Sequence, residues 1–443
     1  MAEDLLSKIV SLAKRRGFVF PGSEIYGGLS GTWDFGPVGT ELKNNIKNAW
    51  WKMFVQERND MYGLDSAILM NAKVWKASGH VEGFVDPMVD CRSCKSRFRA
   101  DHLKEGKYGE VKIIEGKQAC PICGKTELTG ARKFNMMFKT FIGPMEETAS
   151  EIYLRPENAQ GMFVDFKSVL DTMHPKLPFG IAQAGRAFRN EITPGDFIFR
   201  VREFDLMELE YFINPKDWNK LFEAWVLEIA KWLNFLGLDS KKIYYREIPD
   251  GERAHYSKRT VDVEYQFPFG KKELCAIAYR TDYDLKQHQE YSGKDLTYFD
   301  EKTGNRFIPH VLEPTFGLDR ALLAVLTEAY TEKGERVYLR IPAKLAPYKA
   351  AVFPLLANKP GLVKLARKIY DDLRKDFMIA WDDRGNIGKR YYAQDEIGTP
   401  YCITIDFDSL KKKDVTIRDR DTMKQKRVKI KELKTTIDNI LFE

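Results

Sequence analysis

Residues 184–212, AGRAFRNEITPGDFIFRVREFDLMELEYF, limit the possible folds more than any other stretch of the chain. Two extended runs flank Thr193-Pro194-Gly195-Asp196. Proline fixes one backbone angle and glycine accepts conformations that other residues avoid. Such a pair between alternating runs therefore favours a hairpin. Read with the period of two of a strand, Arg189 and Glu191 share a face, as do Arg200, Arg202 and Phe204. Further strand candidates lie at 151–154, at 260–269 (TVDVEYQFPF), at 271–280 (KKELCAIAYR) and at the start of HVLEPTFGLDRALLAVLTEAY, 310–330. Many separate alternating strands, with helices collected between them, specify a largely antiparallel sheet rather than a doubly wound one. The expected class is α+β.

At 443 residues the chain is too long for one ordinary domain. It opens on an amphipathic helix, MAEDLLSKIVSLAKRRG. GTELKNNIKNAWWKMFV, 39–55, then aligns Leu42, Ile46, Ala49, Trp50, Met53 and Phe54 on one helical stripe. GLDSAILM, 63–70, reads as a strand, and WNKLFEAWVLEIAKWLNFLG as a long helix. Residues 85–130 turn polar and basic and carry two cysteine pairs, which marks an insertion dividing the main domain into 1–84 and 131–342. From 343 to 443 strands and helices alternate, as in a compact α/β domain. From Ala346 to Glu443, 21 Lys and Arg stand against 15 Asp and Glu, a net +6 out of the chain's +7. That bias permits a polyanionic partner at this end. No run approaches the roughly 18 apolar residues needed to cross a bilayer. The first helix lacks the basic-then-apolar order of a secretory signal, and paired thiols suit a reducing compartment. A cytoplasmic protein with no membrane partner is expected.

CRSC and CPIC place Cys91, Cys94, Cys120 and Cys123 in the two-knuckle spacing of a tetrahedral zinc site; an iron–sulfur centre and chance are the alternatives. Four sulfurs complete such a shell without His102. Neither GxxxxGK[ST] nor GxGxxG occurs, so a nucleotide, if one binds, is not held by a Gly-rich phosphate loop. The arginines near the Pro-Gly turn fit phosphate geometry and Phe204 offers a ring to a base; cross-strand Arg–Glu pairs on a wet surface explain the same pattern. IYLRPENAQGMF, 152–163, puts Arg155 and Glu157 at a strand-to-helix junction, where the carboxylate either receives an ammonium or caps the helix. In EPTFGLDRALLAV, 313–325, Arg320 opens an apolar helix against the dipole, and an anionic ligand would offset that cost.

Taken together these blocks resemble the homodimeric glycyl-tRNA synthetases, within the class II aminoacyl-tRNA synthetases, over essentially the whole chain. AFRNEITPGDFIFRVREF resembles motif 2, FGLDRALLAV motif 3, and RPENAQGMF the family's RPE-T-AQG signature, with Asn158 where threonine is common. KVWKASGHVEGF, ELCAIAYRTDYDL, DRGNIGKRYYAQDEIGTP and DRDTMKQKRV extend the match. Only the helix and strand of motif 1 are matched, because Asn71-Ala72 stands where relatives often carry proline; Thr315 stands where serine is frequent.

The resemblance implies a class II antiparallel-sheet catalytic domain with a zinc-ribbon-like insertion, and a C-terminal α/β anticodon-binding domain. It implies ATP-dependent activation of glycine and its transfer to tRNA(Gly), with Mg2+ as activator, structural Zn2+ and a homodimer. Arg189 would bind the α-phosphate, Arg320 the terminal phosphates and Glu273 the magnesium, and these three would be the catalytic set. ATP would also meet Asn190, Glu191, Phe199, Arg200, Val201, Arg202, Glu203, Phe204, Leu274, Gly317, Leu318 and Asp319. Glycine would be surrounded by Arg99, Glu157, Phe204, Asp205, Leu206, Met207, Glu208, Arg280, Glu313, Pro314, Thr315, Phe316 and Gly317. His80, His255 and His310 are expected to be structural or to support the residues that touch the ligands. The alternative is a noncatalytic nucleic-acid-binding accessory protein on the same scaffold, which would be expected to lose Arg189, Glu191 or Arg320; none is lost.

Overall fold

The alternating runs assemble into one seven-stranded sheet that organises the main domain. In the computed structural model, which describes residues 4–144 and 150–442, its strands are β1 (Met61–Gly63), β2 (Phe179–Phe188), β3 (Glu203–Ile213), β4 (Ile243–Glu247), β5 (Arg259–Phe267), β6 (Gly270–Thr281) and β7 (His310–Gly317). Their order is β4-β5-β6-β7-β3-β2-β1, antiparallel except for the parallel β1–β2 edge. The helices that matter here are α1 (Leu5–Arg15), α2 (Pro37–Trp51), α3 (Ala159–Val164), α4 (Trp218–Phe235), α5 (Tyr283–Ser292) and α6 (Leu318–Ala329). Glu3, one of the acids at the start of the expected first helix, lies outside the described residues.

One face of the sheet is the core. Met207, Leu209, Tyr211 and Ile213 of β3 and Leu312 and Phe316 of β7 meet Leu42, Ile46 and Trp50 of α2, Trp225 and Trp232 of α4 and Leu322 of α6. The stripe expected on α2 is the one buried, at about 1.5–3 kcal/mol for each large apolar side chain. No helix among the described residues is long and apolar enough to cross a membrane.

The stretch around Thr193-Pro194-Gly195-Asp196 departs from the expected tight hairpin. β2 and β3 pair from Phe179↔Phe212 to Phe188↔Glu203, and 189–202 form a loop between them. Gly195 bridges Arg200 at the tip, but Asp196 and Phe197 take left-handed φ of 55° and 60°, which interrupts any ladder. Burial decides this: Phe197 turns into the core, its ring 4.9 Å from that of Trp33. The expected strand at 63–70 is likewise confined to β1, apart from a single bridge between Leu69 and Leu154. Within it the Ser66 carbonyl accepts from Arg155 Nη1 at 2.8 Å, so a side chain replaces the ladder there.

The insertion is closed by a three-stranded sheet of Val85–Asp90, Arg97–Arg99 and Arg132–Asn135, and so runs past Gly130. It leans on the 189–202 loop: Tyr108 Oη lies 3.3 Å from Thr193 Oγ1, and the Asn190 amide donates to the Met136 carbonyl at 2.7 Å.

The C-terminal domain holds β8 (Ala350–Pro354), β9 (Ile379–Trp381), β10 (Tyr401–Ile405), β11 (Asp414–Asp419) and β12 (Gln425–Lys429), ordered β9-β8-β10-β11-β12. It also holds α7 (Pro360–Leu373), α8 (Ile387–Ile397) and α9 (Leu433–Phe442), as the alternation predicts. A buried ion-pair group joins it to the main domain. Asp395 of α8 accepts from Arg336 of the main domain at 2.8 Å and from both terminal nitrogens of Arg418 at 2.9 and 3.0 Å. Removing one partner of such a group strands the others without water. Asp395→Ala is therefore expected to cost about 3–5 kcal/mol, seen as a lower urea midpoint, whereas truncating the exposed Lys375 should leave it unmoved.

Candidate active site

Strand alternation aims a second set of side chains away from the core. On β3 these are Phe204, Leu206, Glu208 and Glu210; on β7 they are Glu313, Thr315 and Gly317. The register sets Leu206 opposite Gly317 and Glu208 opposite Thr315, and sets Ala276 and Ala278 of β6 opposite Thr315 and Glu313. The two alanines leave space above the sheet, and the larger groups border it.

At the 204 end lies a cleft lined by Arg189, Glu191, Phe199, Arg200, Val201, Phe204, Asp205, Leu206, Glu273, Thr315, Gly317, Asp319 and Arg320, with Ile198 as an addition to the expected set. The Arg189 guanidinium is 5.4 Å from the centre of the Phe204 ring, and its Nε donates to the Pro156 carbonyl at 3.1 Å. Across the cleft Arg320 pairs with Glu273 at 3.0 Å and lies 4.4 Å from the centre of the Phe199 ring. Glu191 is buried and pairs with Arg200 at 3.3 Å. Two arginines on opposite walls, with aromatic rings beside them, can take a polyphosphate and a flat base without a phosphate loop.

Further along β3 is a closed pocket of acids. Arg280, 1% exposed, donates Nε and Nη2 to Asp284 at 2.8 Å each, and Nη1 to Glu313 at 2.7 Å. Glu157 accepts from Gln160 at 3.0 Å and faces His80 at 3.3 Å; Gln160 in turn donates to Asp284 at 3.1 Å. Glu208 accepts from the Asn158 amide at 2.6 Å. Glu157 thus binds a side chain beyond the junction and does not cap α3.

Burial, then the nearby charges of Glu157 and Glu313, push Glu208 up to about 8. Burial also lifts Glu313 to about 7, although Arg280 opposes it. Burial would raise Glu157 as well, but His80 and Arg280 hold it below the usual carboxylate range. The pocket therefore has more acid than cation and is suited to receive a positive ligand.

The other expected residues fall outside these linings. Leu274, Leu318, Met207 and Phe316 pack in the core. Pro314 alternates onto that same side. Glu203 is exposed and ion-paired across the strands to Arg186, a surface pair of the kind that the alternation also allows. Arg202 donates to the Ser30 carbonyl and, at 3.2 Å, to that of Glu191, fastening the loop. Arg99 is held inside the insertion by Asp86 at 2.8 Å and Asp101 at 2.7 Å. Asn190 meets the insertion through its backbone. Sequence reasoning missed Gln160, Asp284 and Glu210 as members of the pocket. Glu208 and Glu210 sharing one face of the otherwise apolar run Leu206–Ile213 was the available signal for the last.

In the insertion the sulfurs of Cys91, Cys94, Cys120 and Cys123 all lie within 4.8 Å of one another, with Cys91–Cys123 at 3.6 Å and Cys94–Cys120 at 3.7 Å. Four sulfurs about 2.3 Å from a tetrahedral centre stand about 3.8 Å apart, so the set fits zinc.

Comparison with known proteins agrees with this layout. Residues 138–330 match the family described as tRNA synthetase class II core domain (G, H, P, S and T), and 349–440 match the anticodon binding domain. A glycine–tRNA ligase of Geobacillus thermodenitrificans is 54% identical over 98% of this chain and 97% of its own length. One of Caldanaerobacter subterraneus subsp. tengcongensis is 54% identical over 96% of each, and one of Alkaliphilus oremlandii 50% over 99% of each. With a class II core, an anticodon-binding domain and such identity along its full length, the chain belongs to the glycine–tRNA ligases of the class II aminoacyl-tRNA synthetases.

Proposed function

We propose that the cleft and the pocket together join glycine to ATP and then pass the glycyl group to the terminal ribose of tRNA(Gly). The observation that carries this is their shared strand: Phe204 borders the cleft and Glu208 the pocket, four residues along β3. That separation is roughly 13 Å, enough for an adenosine phosphate lying on one and an amino acid on the other to meet between them. An oxygen of the glycine carboxylate attacks the α-phosphorus, and the bond to the β-phosphate oxygen breaks as pyrophosphate leaves. The carboxylate is already ionised, so no general base is required. The reaction needs in-line placement and relief of repulsion between anions.

In this reading Arg189 holds the α-phosphate and Arg320 the terminal phosphates. Glu191 meets the adenine edge and Phe204 stacks on the ring. Glu157, Glu208 and Glu313 receive the ammonium, and Arg280 fixes Glu313. Glu273 lies beside Asp262, which burial and Glu273 itself push up to about 7. A divalent cation would relieve that crowding, and these two acids would hold it. Bound magnesium would neutralise charge on the phosphates. Selection among amino acids is steric: one extra methyl in an apolar fit is worth about 1–3 kcal/mol, and more where it also breaks hydrogen bonds. The basic C-terminal domain would grip the anticodon stem-loop, and the zinc would hold the insertion against the 189–202 loop. A cytosolic homodimer is the accompanying inference, from the family resemblance and the four free thiols of the insertion.

Pyrophosphate exchange tested across the twenty amino acids is expected to respond to glycine alone. Glu157→Ala should lose that response mainly through a glycine KM raised at least about a hundredfold, in line with the loss of a charged hydrogen-bond partner. Arg189→Ala should lower kcat by about two orders of magnitude; wild-type exchange in that variant would defeat the phosphate role. Metal analysis of the purified chain should give one zinc per chain. Cys91→Ser should lose it and expose 85–135 to proteolysis, and an intact, protease-resistant insertion in that variant would count against a structural zinc.

A further inference from the structure

One carboxyl beside the amino-acid pocket takes no part in the scheme above. Glu210 lies two residues from Glu208 on the same face of β3, with Ile181 of β2 opposite. On its other side it stands against Glu313 of β7, between the pairs Glu208↔Thr315 and Tyr211↔Leu312. It is 0% exposed, and neither of its oxygens has a hydrogen-bond partner. The charged groups facing it come from each neighbouring element: Glu208 of its own strand, Glu313 of β7, Arg280 of β6 and Asp284 of α5. Three are acids. The one cation is already committed, because Arg280 gives Nε and Nη2 to Asp284 and Nη1 to Glu313.

A carboxylate enclosed in this way, without a counter-ion or a donor, does not stay ionised. Burial, then repulsion from Glu313, drives Glu210 well above the carboxylate range, in the direction that its enclosure demands. A buried polar group left without a partner in an otherwise bonded network calls for an explanation, and beside a binding pocket a functional role is one.

We propose that Glu210 is a further positioning residue of the amino-acid pocket, which gains its partner only when the ammonium of glycine arrives beside Glu313 and which releases a proton as it does so. This inference rests on the glycine reading of the pocket. The step balances: the carboxyl O–H bond breaks, the carboxylate is left facing the ammonium, and the proton leaves to solvent. The ammonium takes the place of the departing proton beside Glu210, while the carboxylate of glycine lies toward the cleft. The exchange demands a ligand with a cationic amine.

The test uses the full chain and Glu210→Gln, which keeps the shape and the neutrality of the resting side chain. Its urea stability at neutral pH is expected to match wild type. Calorimetric titration with glycine, in two buffers of different ionisation enthalpy at one near-neutral pH, reports protons released per glycine. Wild type is expected to release about one proton more than the variant. In pyrophosphate exchange the variant's glycine KM should rise about tenfold, with kcat and the KM for ATP within about twofold. Equal proton release, an unchanged glycine KM, or loss spread equally over all three constants would overturn the assignment. Failure of the variant to fold would also overturn it, since a neutral resting side chain tolerates Gln. Absence of glycine-dependent exchange in wild type would remove the glycine reading together with this one, and the wild-type assay alone tells that case apart.

Discussion

A strand covered on both faces must find a partner, or a proton, for every charge it carries, and β3 imposes that condition on the whole domain. Its core side is Met207, Leu209, Tyr211 and Ile213; its other side carries Glu208 and Glu210 into an equally dry space. Desolvating an ion costs several kcal/mol even after relaxation, so the surroundings of β3 are built around those two acids. The 155–158 junction is placed so that the Asn158 amide reaches Glu208. It can come so close because β2 has a glycine there. A Cβ on Gly185 would sit 2.4 Å from Arg155 Nη2, and that arginine, 2% exposed, ties the junction to the Arg186 carbonyl at 2.7 Å.

A second fixed point lies at the opposite end of the site. Lys43 of α2 reaches Asp205 of β3 and Asp319 of α6 at 2.6 Å each, with its ammonium 3.8 Å from the centre of the Phe35 ring. Burial would raise Asp205, but Lys43 and Arg186 hold it down. For Asp319 burial prevails and raises it. One lysine thus ties α2 to both walls of the cleft. Asp205 and Asp319, both in the lining of the cleft, are thereby fixed beside Phe204 and Arg320.

Periodicity made the layers legible. The stripe on α2, the hairpin of β5 and β6, the step from β7 into α6 and the alternation of the C-terminal domain all follow from apolar spacing, because burial rewards one face at a time. Family resemblance supplied the lining of the cleft. Two kinds of feature stayed out of reach. The 189–202 loop looks like strand until Phe197 is buried against Trp33, a contact between segments far apart in sequence. The pocket's Gln160, Asp284 and Glu210 become neighbours only through sheet register and the packing of α5, and nothing local to each residue reveals that.

The two halves of the site differ in how firmly their charges are held, and that difference divides the work between them. In the cleft Arg320 is paired to Glu273, whose side chain is 46% exposed. A pair that open contributes about 0–1 kcal/mol, so phosphates can draw the arginine away at little cost. In the pocket Arg280 is sealed between Asp284 and Glu313, and breaking either contact would leave a charge buried without a partner. Groups that exchange partners easily suit a substrate whose product, pyrophosphate, must leave. Groups that cannot move suit the discrimination of glycine from amino acids that differ by one methyl, because a wall rejects only what it does not yield to. In the proposed reading selectivity therefore belongs to the buried network along β3, and turnover to the half-buried arginine on α6.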